Sequence, residues 1–356
     1  MLSPAEFREI VSGRQHGQRA VVWRGLFSAI EPAYSAVVRY RNWRYDTGRT
    51  PTTRVEVPVV SVGNLTLGGT GKTPMVEWLA RWFIDRGVRV AIVSRGYGAV
   101  EGQENDEAKE LRQKLPTVPH LLNPKRAVGA REAIDHHGAQ LIILDDGFQH
   151  RRLARDLDIV LVDGMEPFGF EHVFPRGTLR EPLAGFARAQ VIALSRSDAI
   201  EEKSRQQIHD RVRTFNRDAT WLELSHQPRG LRSGDGASQP LDHLQGKRLL
   251  AFCGIGNPAG FRHALVSCGY EVADFREFPD HHAYQPGDLT NLATWAEQAK
   301  VDAMICTHKD LVKLGQPIGG SRPIWALEIG LAISSGQAEF EKQLGLLAQR
   351  AIGDRL

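Results

Sequence analysis

The stretch Gly63-Asn64-Leu65-Thr66-Leu67-Gly68-Gly69-Thr70-Gly71-Lys72-Thr73-Pro74 follows a β-branched run, Val57 to Val62, and precedes a helically patterned segment, Pro74 to Arg86. A glycine loop between a strand and a helix N-terminus constrains the fold strongly. It demands a parallel βαβ unit and offers inward-turned backbone N–H groups to an anion. Gly68, Gly69, Thr70 and Gly71 would line such a phosphate cradle, Lys72 would add a cation, and Thr73 a hydroxyl for Mg²⁺. Thr66 stands where the strict pattern has its leading glycine.

The rest of the chain agrees with an α/β reading. Val88 to Ser94, Leu141 to Leu144, Ile159 to Val162 and Val191 to Ser195 read as buried strands separated by helical stretches. A second series follows, with strands expected at 248–253, 270–278, 301–307 and 324–328 and helices at 258–268 and 288–299. With 356 residues, and about 150 per domain, two domains are expected. The expected division is an N-terminal segment at 1–54, a P-loop nucleotide-binding domain at 55–225, a linker at 226–246 and a smaller α/β domain at 247–356 closing a cleft.

The run Leu141-Ile142-Ile143-Leu144 ends in Asp145-Asp146-Gly147-Phe148-Gln149-His150. Two carboxylates at a strand end beside a phosphate loop suit a hard cation that takes oxygen ligands. Successive strand residues point to opposite faces, so one aspartate is expected to ligate and the other to orient. Arg95, Arg126 and Arg180 are candidates for anionic groups, because a guanidinium fork matches phosphate geometry, although each also suits a surface ion pair.

Residues 1–54 hold nine arginines against Glu6, Glu9, Glu31 and Asp46, whereas the whole chain is nearly balanced, with 45 basic and 42 acidic side chains. That balance gives no argument for nucleic acid as a partner. Within the arm Val22, Leu26, Ile30, Ala33 and Val37 form a helical apolar stripe, with Trp23, Phe27, Tyr34 and Val38 beside it. No apolar run approaches the roughly 18 residues that span a bilayer. The arm is expected either to lie on an anionic membrane surface or to pack on its own domain, kinked at Pro32. Cys253, Cys268 and Cys306 show no ligand or disulfide spacing.

Taken with Ser94-Arg95-Gly96-Tyr97-Gly98, Leu179-Arg180-Glu181-Pro182, Gly254-Ile255-Gly256-Asn257-Pro258, Phe278-Pro279-Asp280-His281-His282 and Thr307-His308-Lys309-Asp310, the phosphate loop and the Asp-Asp-Gly-Phe-Gln-His string resemble the tetraacyldisaccharide 4'-kinase family of lipid A biosynthesis. The resemblance implies transfer of the ATP γ-phosphoryl group to the 4'-hydroxyl of an acylated glucosamine disaccharide 1-phosphate. It also implies Mg²⁺ and a peripheral position on the cytoplasmic face of the bacterial inner membrane, with no obligate protein partner. Carried over residue by residue, it assigns Asp106 as the base assisted by His281, Lys72 to catalysis, Thr73, Asp145 and Asp146 to the metal, and Arg95, Gln149, His150, Arg180 and Glu181 to substrate. Asn105 and Ala108 replace the Gly and Pro that flank the base in the family. A membrane-associated P-loop ATPase switch is the alternative, but its signature Lys before the first loop glycine is Leu67 here.

Overall fold

Buried β-branched and leucine-rich runs with no polar alternation form strands covered on both faces by helices. In the computed structural model, residues 2–96, 106–280, 282–314 and 322–353 are described. The elements in chain order are α1 (Pro4–Val11), α2 (Gln18–Asp46), β1 (Val59–Asn64), α3 (Lys72–Ile84), β2 (Val90–Ser94), α4 (Asp106–Lys114), β3 (His120–Leu122), α5 (Arg126–His137), β4 (Leu141–Asp145), β5 (Leu157–Asp163) and β6 (Val191–Ser195). There follow α6 (Glu202–Arg213), β7 (Thr220–Ser233), β8 (Ser238–Gln239), β9 (Arg248–Cys253), α7 (Pro258–Ser267), β10 (Glu271–Glu277), α8 (Pro286–Ala299), β11 (Ala303–Thr307), α9 (His308–Leu314), β12 (Ile324–Ser335) and α10 (Gln337–Gly353). The chain divides into two units, one of residues 1–96, 117–225 and 333–356, the other of residues 97–116 and 226–332. Residues 226–246, expected as a linker, carry the second half of β7, then β8 and a 3-10 turn.

In the first unit the strand order is β7-β6-β5-β1-β4-β2-β3, all parallel. β1 is central: the chain builds β2, β3 and β4 on one side of it and β5, β6 and β7 on the other. The carboxyl end of β1 is thus a topological switch point, where open α/β sheets bind ligands. Every residue of β1, β2, β4, β5 and β6 is buried. α3 covers the sheet with Met75, Val76, Leu79, Ala80 and Phe83. Pro74 costs it little, being in the first turn, where no intrahelical N–H bond is lost.

The second unit holds β10-β9-β11-β12, all parallel, and the antiparallel β7–β8 pair. Its Thr307-His308-Lys309-Asp310 motif is an internal brace: buried Asp310 accepts from Gly254 N (2.9 Å), Tyr284 Oη (3.1 Å) and Thr307 Oγ1 (2.6 Å). Asp310 N in turn donates to Thr307 Oγ1, the capping role expected of a threonine at a helix start.

The arm is two helices, both in the first unit, and α2 presents a different face to the body than its apolar stripe suggests. Val22 is 69% exposed, Leu26 47% and Val37 68%, and Ile30 and Ala33 are exposed with them. The side that docks carries Ala20, Phe27 and Val38, which are buried, with Glu31, Tyr34 and Asn42 between them. Glu31 accepts from Val173 N (2.8 Å) and pairs with His172, while Phe7 and Tyr34 meet Phe174 edge-on or tilted. Polar groups with specific partners hold this helix down, so its larger apolar surface is left to solvent. Among the described residues no helix is long and apolar enough to cross a membrane.

Close packing behind the phosphate loop gives a stability test. A Cβ on Gly63 would lie 2.6 Å from Phe148 Cβ and 2.9 Å from Phe148 N. Gly63→Ala should lower unfolding free energy by roughly 1–3 kcal/mol through overpacking, read as a lower denaturant midpoint with an unchanged slope; an unshifted midpoint would show that this contact relaxes freely.

Candidate active site

The phosphate loop is pinned at its entrance. Leu67 N donates to Thr178 O and Arg180 N to Leu65 O, both at 2.7 Å, and Thr66 forms an antiparallel bridge with Leu179. The leading position of the loop is therefore paired strand, which threonine suits, and this accounts for the missing glycine. Past that point glycine is needed: Gly68 has φ +118° and Gly71, the N-cap of α3, has φ +85°, conformations that L side chains adopt only under strain. Lys72 and Thr73 open the helix at its positive end. Thr70 Oγ1 is buried and without a hydrogen-bond partner among the described residues, a polar atom whose cost an oxyanion or water would relieve.

The acidic string meets the loop in register, with Val62 of β1 opposite Asp145 of β4. Asp145 is buried. Asp146 turns at φ +52° and its carboxylate accepts from Arg180 Nη1 at 2.8 and 2.9 Å. Lys72 Nζ lies 3.6 Å from Asp146 Oδ1 and 3.5 Å from Asn64 Oδ1. Burial alone would raise the Asp146 pKa, but Lys72, Arg180 and Arg126 outweigh it and hold the carboxyl below its ordinary value. The lysine is thus held between a carboxylate and a side-chain amide oxygen.

Two further groups face this charge cluster. Arg126, the first residue of α5, is buried, its pKa lowered by burial against the pull of Asp146. His150 is pushed down to about 4, first by burial and then by the Arg126, Arg155, Arg152 and Arg95 guanidiniums, so it stays a neutral hydrogen-bonding group at physiological pH.

Glu181 is a hub beneath the loop. Fully buried at 0% exposure, it accepts from Gln149 Nε2 (3.0 Å), Arg188 Nη2 (2.9 Å) and Asn42 Nδ2 (2.8 Å). Gln149 Nε2 also donates to Asn64 O at the end of β1 (2.9 Å), and the Arg188 guanidinium sits 4.5 Å over the Phe148 ring. α2, the acidic string and the loop are therefore joined through one carboxylate. Neither Asn42 nor Arg188 belongs to a recognisable motif, and no sequence signal singles them out.

The first unit brings together the loop residues 68–73, Asp145, Asp146, Gln149, His150, Arg180 and Glu181; Arg95 follows β2 and is exposed. Asp106 opens α4, in the other unit, and its side chain lies outside the described residues, as does all of His281. Among the described residues no three His, Cys, Asp or Glu side chains form a metal cage. The donor set nevertheless fits Mg²⁺, which favours one or two protein oxygens together with phosphates and water: Thr73, Asp145 and Asp146 offer hard oxygen atoms at the loop exit and the end of β4.

A glycine loop at a β1 switch point, a helix-borne Lys-Thr pair and an acidic strand end define a P-loop phosphate-binding α/β protein. The family described as LpxK, tetraacyldisaccharide-1-P 4'-kinase, matches over residues 23–348, and the chain belongs to that family. Tetraacyldisaccharide 4'-kinase from Halothermothrix orenii is 37% identical, with 82% of this chain and 83% of the relative aligned. The relative of that name from Anaeromyxobacter sp. strain K is 40% identical over 84% and 86%. The crystal structure of LpxK from Aquifex aeolicus, described as an "apo" form in complex with ATP, superposes with a TM-score of 0.73 at 28% identity, covering 91% of this chain and 99% of that one.

Removing the Glu181 carboxylate leaves Arg188, Gln149 and Asn42 without their shared acceptor. Glu181→Ala should cost about 3–5 kcal/mol, as for breaking a buried ion pair, measured by chemical denaturation; a loss below about 1 kcal/mol, the scale of a surface pair, would deny it the hub role. Because the folded-state His150 pKa lies below its unfolded value near 6.5, the unfolded chain binds the extra proton. Its contribution therefore lowers stability as pH falls from about 6.5 towards about 4 and is absent above that window. His150→Gln should flatten stability against pH across that range; an unchanged slope would mean the imidazole titrates normally.

Proposed function

We propose that this protein transfers the γ-phosphoryl group of ATP to the 4'-hydroxyl of a tetraacylated glucosamine disaccharide 1-phosphate, at the cytoplasmic face of the bacterial inner membrane. The observation that carries the reading is the pinned loop with Thr73 and Lys72 at its exit, Lys72 Nζ 3.6 Å from the Asp146 carboxylate, in a chain of the 4'-kinase family.

In this reading the triphosphate lies on the backbone of Gly68, Gly69, Thr70 and Gly71. Lys72 leaves Asp146 for the phosphate oxygens and neutralises charge that grows as the bond from the γ-phosphorus to ADP breaks. Thr73 and Asp145 would hold Mg²⁺, which when bound would supply neutralisation of the phosphate charge. Asp146 positions Lys72 and Arg180. His150, Arg95 and Arg180 bind the anionic and hydroxyl groups of the ligands, while Glu181 holds Gln149. The acceptor oxygen forms the new bond to phosphorus and its proton passes to Asp106, with His281 assisting.

The exposed Val22, Leu26, Ile30 and Val37 on α2, continued by Tyr40 and Trp43 and flanked by Arg39, Arg41 and Arg44, suit an anionic lipid interface. A bilayer-embedded acceptor would be presented at that level.

Purified protein should consume ATP only when the acylated disaccharide is present and yield a lipid with one more phosphate. Lys72→Ala should lower kcat on the order of 10²–10³-fold with the fold intact by circular dichroism; wild-type turnover in that variant, or hydrolysis independent of lipid as in an ATPase switch, would overturn the kinase reading. Leu26→Asp with Val37→Asp should abolish sedimentation with anionic liposomes and leave nucleotide affinity unchanged, because both side chains face away from the body. Undiminished sedimentation would remove α2 as the contact.

A further inference from the structure

Helix α1 lies outside the residues matched by the family model, yet it carries a cation to the phosphate loop. Arg8 pairs through Nη2 with Glu166 Oε2. Its other terminal nitrogen, Nη1, faces Gly68: a Cβ built there would lie 3.8 Å away, and Arg8 is the neighbour such a Cβ would meet. That nitrogen makes no hydrogen bond among the described residues.

The anchor of Arg8 is part of the loop's own support. Glu166 Oε1 accepts from Thr178 Oγ1 (2.9 Å), and Thr178 O is the acceptor for Leu67 N, next to Gly68. The helix is fixed independently. Its capping box is Ser3 with Glu6, Phe7 packs on Phe27 and Phe174, and Arg176 donates to Val11 O (3.3 Å). A guanidinium on a capped, docked helix, held at one edge by a carboxylate, has lost most of the rotamer freedom an exposed arginine would lose on binding.

The other cations at the loop are committed differently. Arg196 pairs with Asp163 and reaches the Gly69 carbonyl at 3.4 Å, so it braces the loop through a backbone acceptor. Arg180 pairs with Asp146 through its own Nη1. Gly68 presents a bare Cα at positive φ on that loop, and Arg8 sits over it.

We infer that Arg8 is an arginine finger supplied in cis by the N-terminal helix: its Nη1 contacts the transferring phosphoryl group of a nucleoside triphosphate held on residues 68–73, with Glu166 as its positioning residue. This rests on the kinase reading and adds to it a catalytic cation. Charge on the phosphoryl oxygens is spread most widely as the bond to the leaving nucleotide breaks, and a fixed guanidinium there acts at that moment. The finger is borne by the same arm that carries the exposed apolar face.

The test uses full-length protein, the acylated disaccharide 1-phosphate and ATP. Arg8→Ala should lower kcat on the order of 10²-fold with KM for ATP little changed, the pattern of an interaction made in the transition state. It should lose a similar factor of affinity for Mg·ADP with aluminium fluoride, and none for Mg·ADP alone. Added guanidinium at millimolar level should restore activity to Arg8→Ala and not to Lys72→Ala. Glu166→Gln keeps the guanidinium and loosens its anchor, and should give a smaller kcat defect. Wild-type kcat and fluoride-complex affinity in Arg8→Ala would overturn the finger while leaving the kinase reading standing. So would equal defects in Arg8→Ala and Glu166→Gln without guanidinium rescue, which would make Arg8 a staple for α1. Failure of the unsubstituted protein to bind nucleotide or phosphorylate lipid would sink the reading beneath it.

Discussion

The pairing of Leu65, Thr66 and Leu67 with residues 178–180 is the constraint on which the site depends. A glycine-rich loop pays a large backbone entropy to hold one shape, and here two short hydrogen bonds and a bridge set its first limb before the glycines begin. The αL conformation at Gly71 then turns the chain into α3, placing Lys72 and Thr73 at the helix's positive end. The same 178–181 segment supplies Arg180 to Asp146 and Glu181 to Gln149, Arg188 and Asn42. One stretch thus supports the loop, restrains its lysine and ties down α2.

Much of this was legible in the residues, for physical reasons. Buried parallel strands read as unbroken apolar runs, and β1, β2, β4, β5 and β6 are found where those runs lie. The phosphate loop and the Asp145-Asp146 string carry chemistry in consecutive residues, so their positions follow from local sequence. The hub at Glu181 does not, because its partners lie 139 residues away at Asn42 and 32 at Gln149. Nor is β7's length through residues 226–233 visible, since Gln227, Pro228 and Gly230 resemble loop composition and only pairing makes them strand. Likewise, hydropathy locates an apolar stripe on α2 without saying whether it faces the body or the solvent.

That last case shows how competing forces were settled. Burying Val22, Leu26, Ile30 and Val37 would gain apolar area at about 25 cal/mol per Å². The face chosen instead buries Phe27 and Val38 and gives Glu31, Tyr34 and Asn42 specific partners on residues 172–181. Rotating the helix would take Asn42 from the buried Glu181 carboxylate and Glu31 from the Val173 amide, and unmet buried polar groups cost more than exposed valines. Docking and an outward apolar face are therefore compatible in a single helix.

In the kinase reading the backbone between Gly68 and Thr73 grips a triphosphate, and Lys72 passes to it from Asp146. A crystal structure with Mg²⁺ and a non-hydrolysable ATP analogue is the decisive test. Phosphate oxygens should lie on the amides of that loop, with Lys72 Nζ moved from the Asp146 carboxylate to the terminal phosphate. Nucleotide bound elsewhere, or a loop that keeps Lys72 on Asp146 with the analogue present, would contradict it.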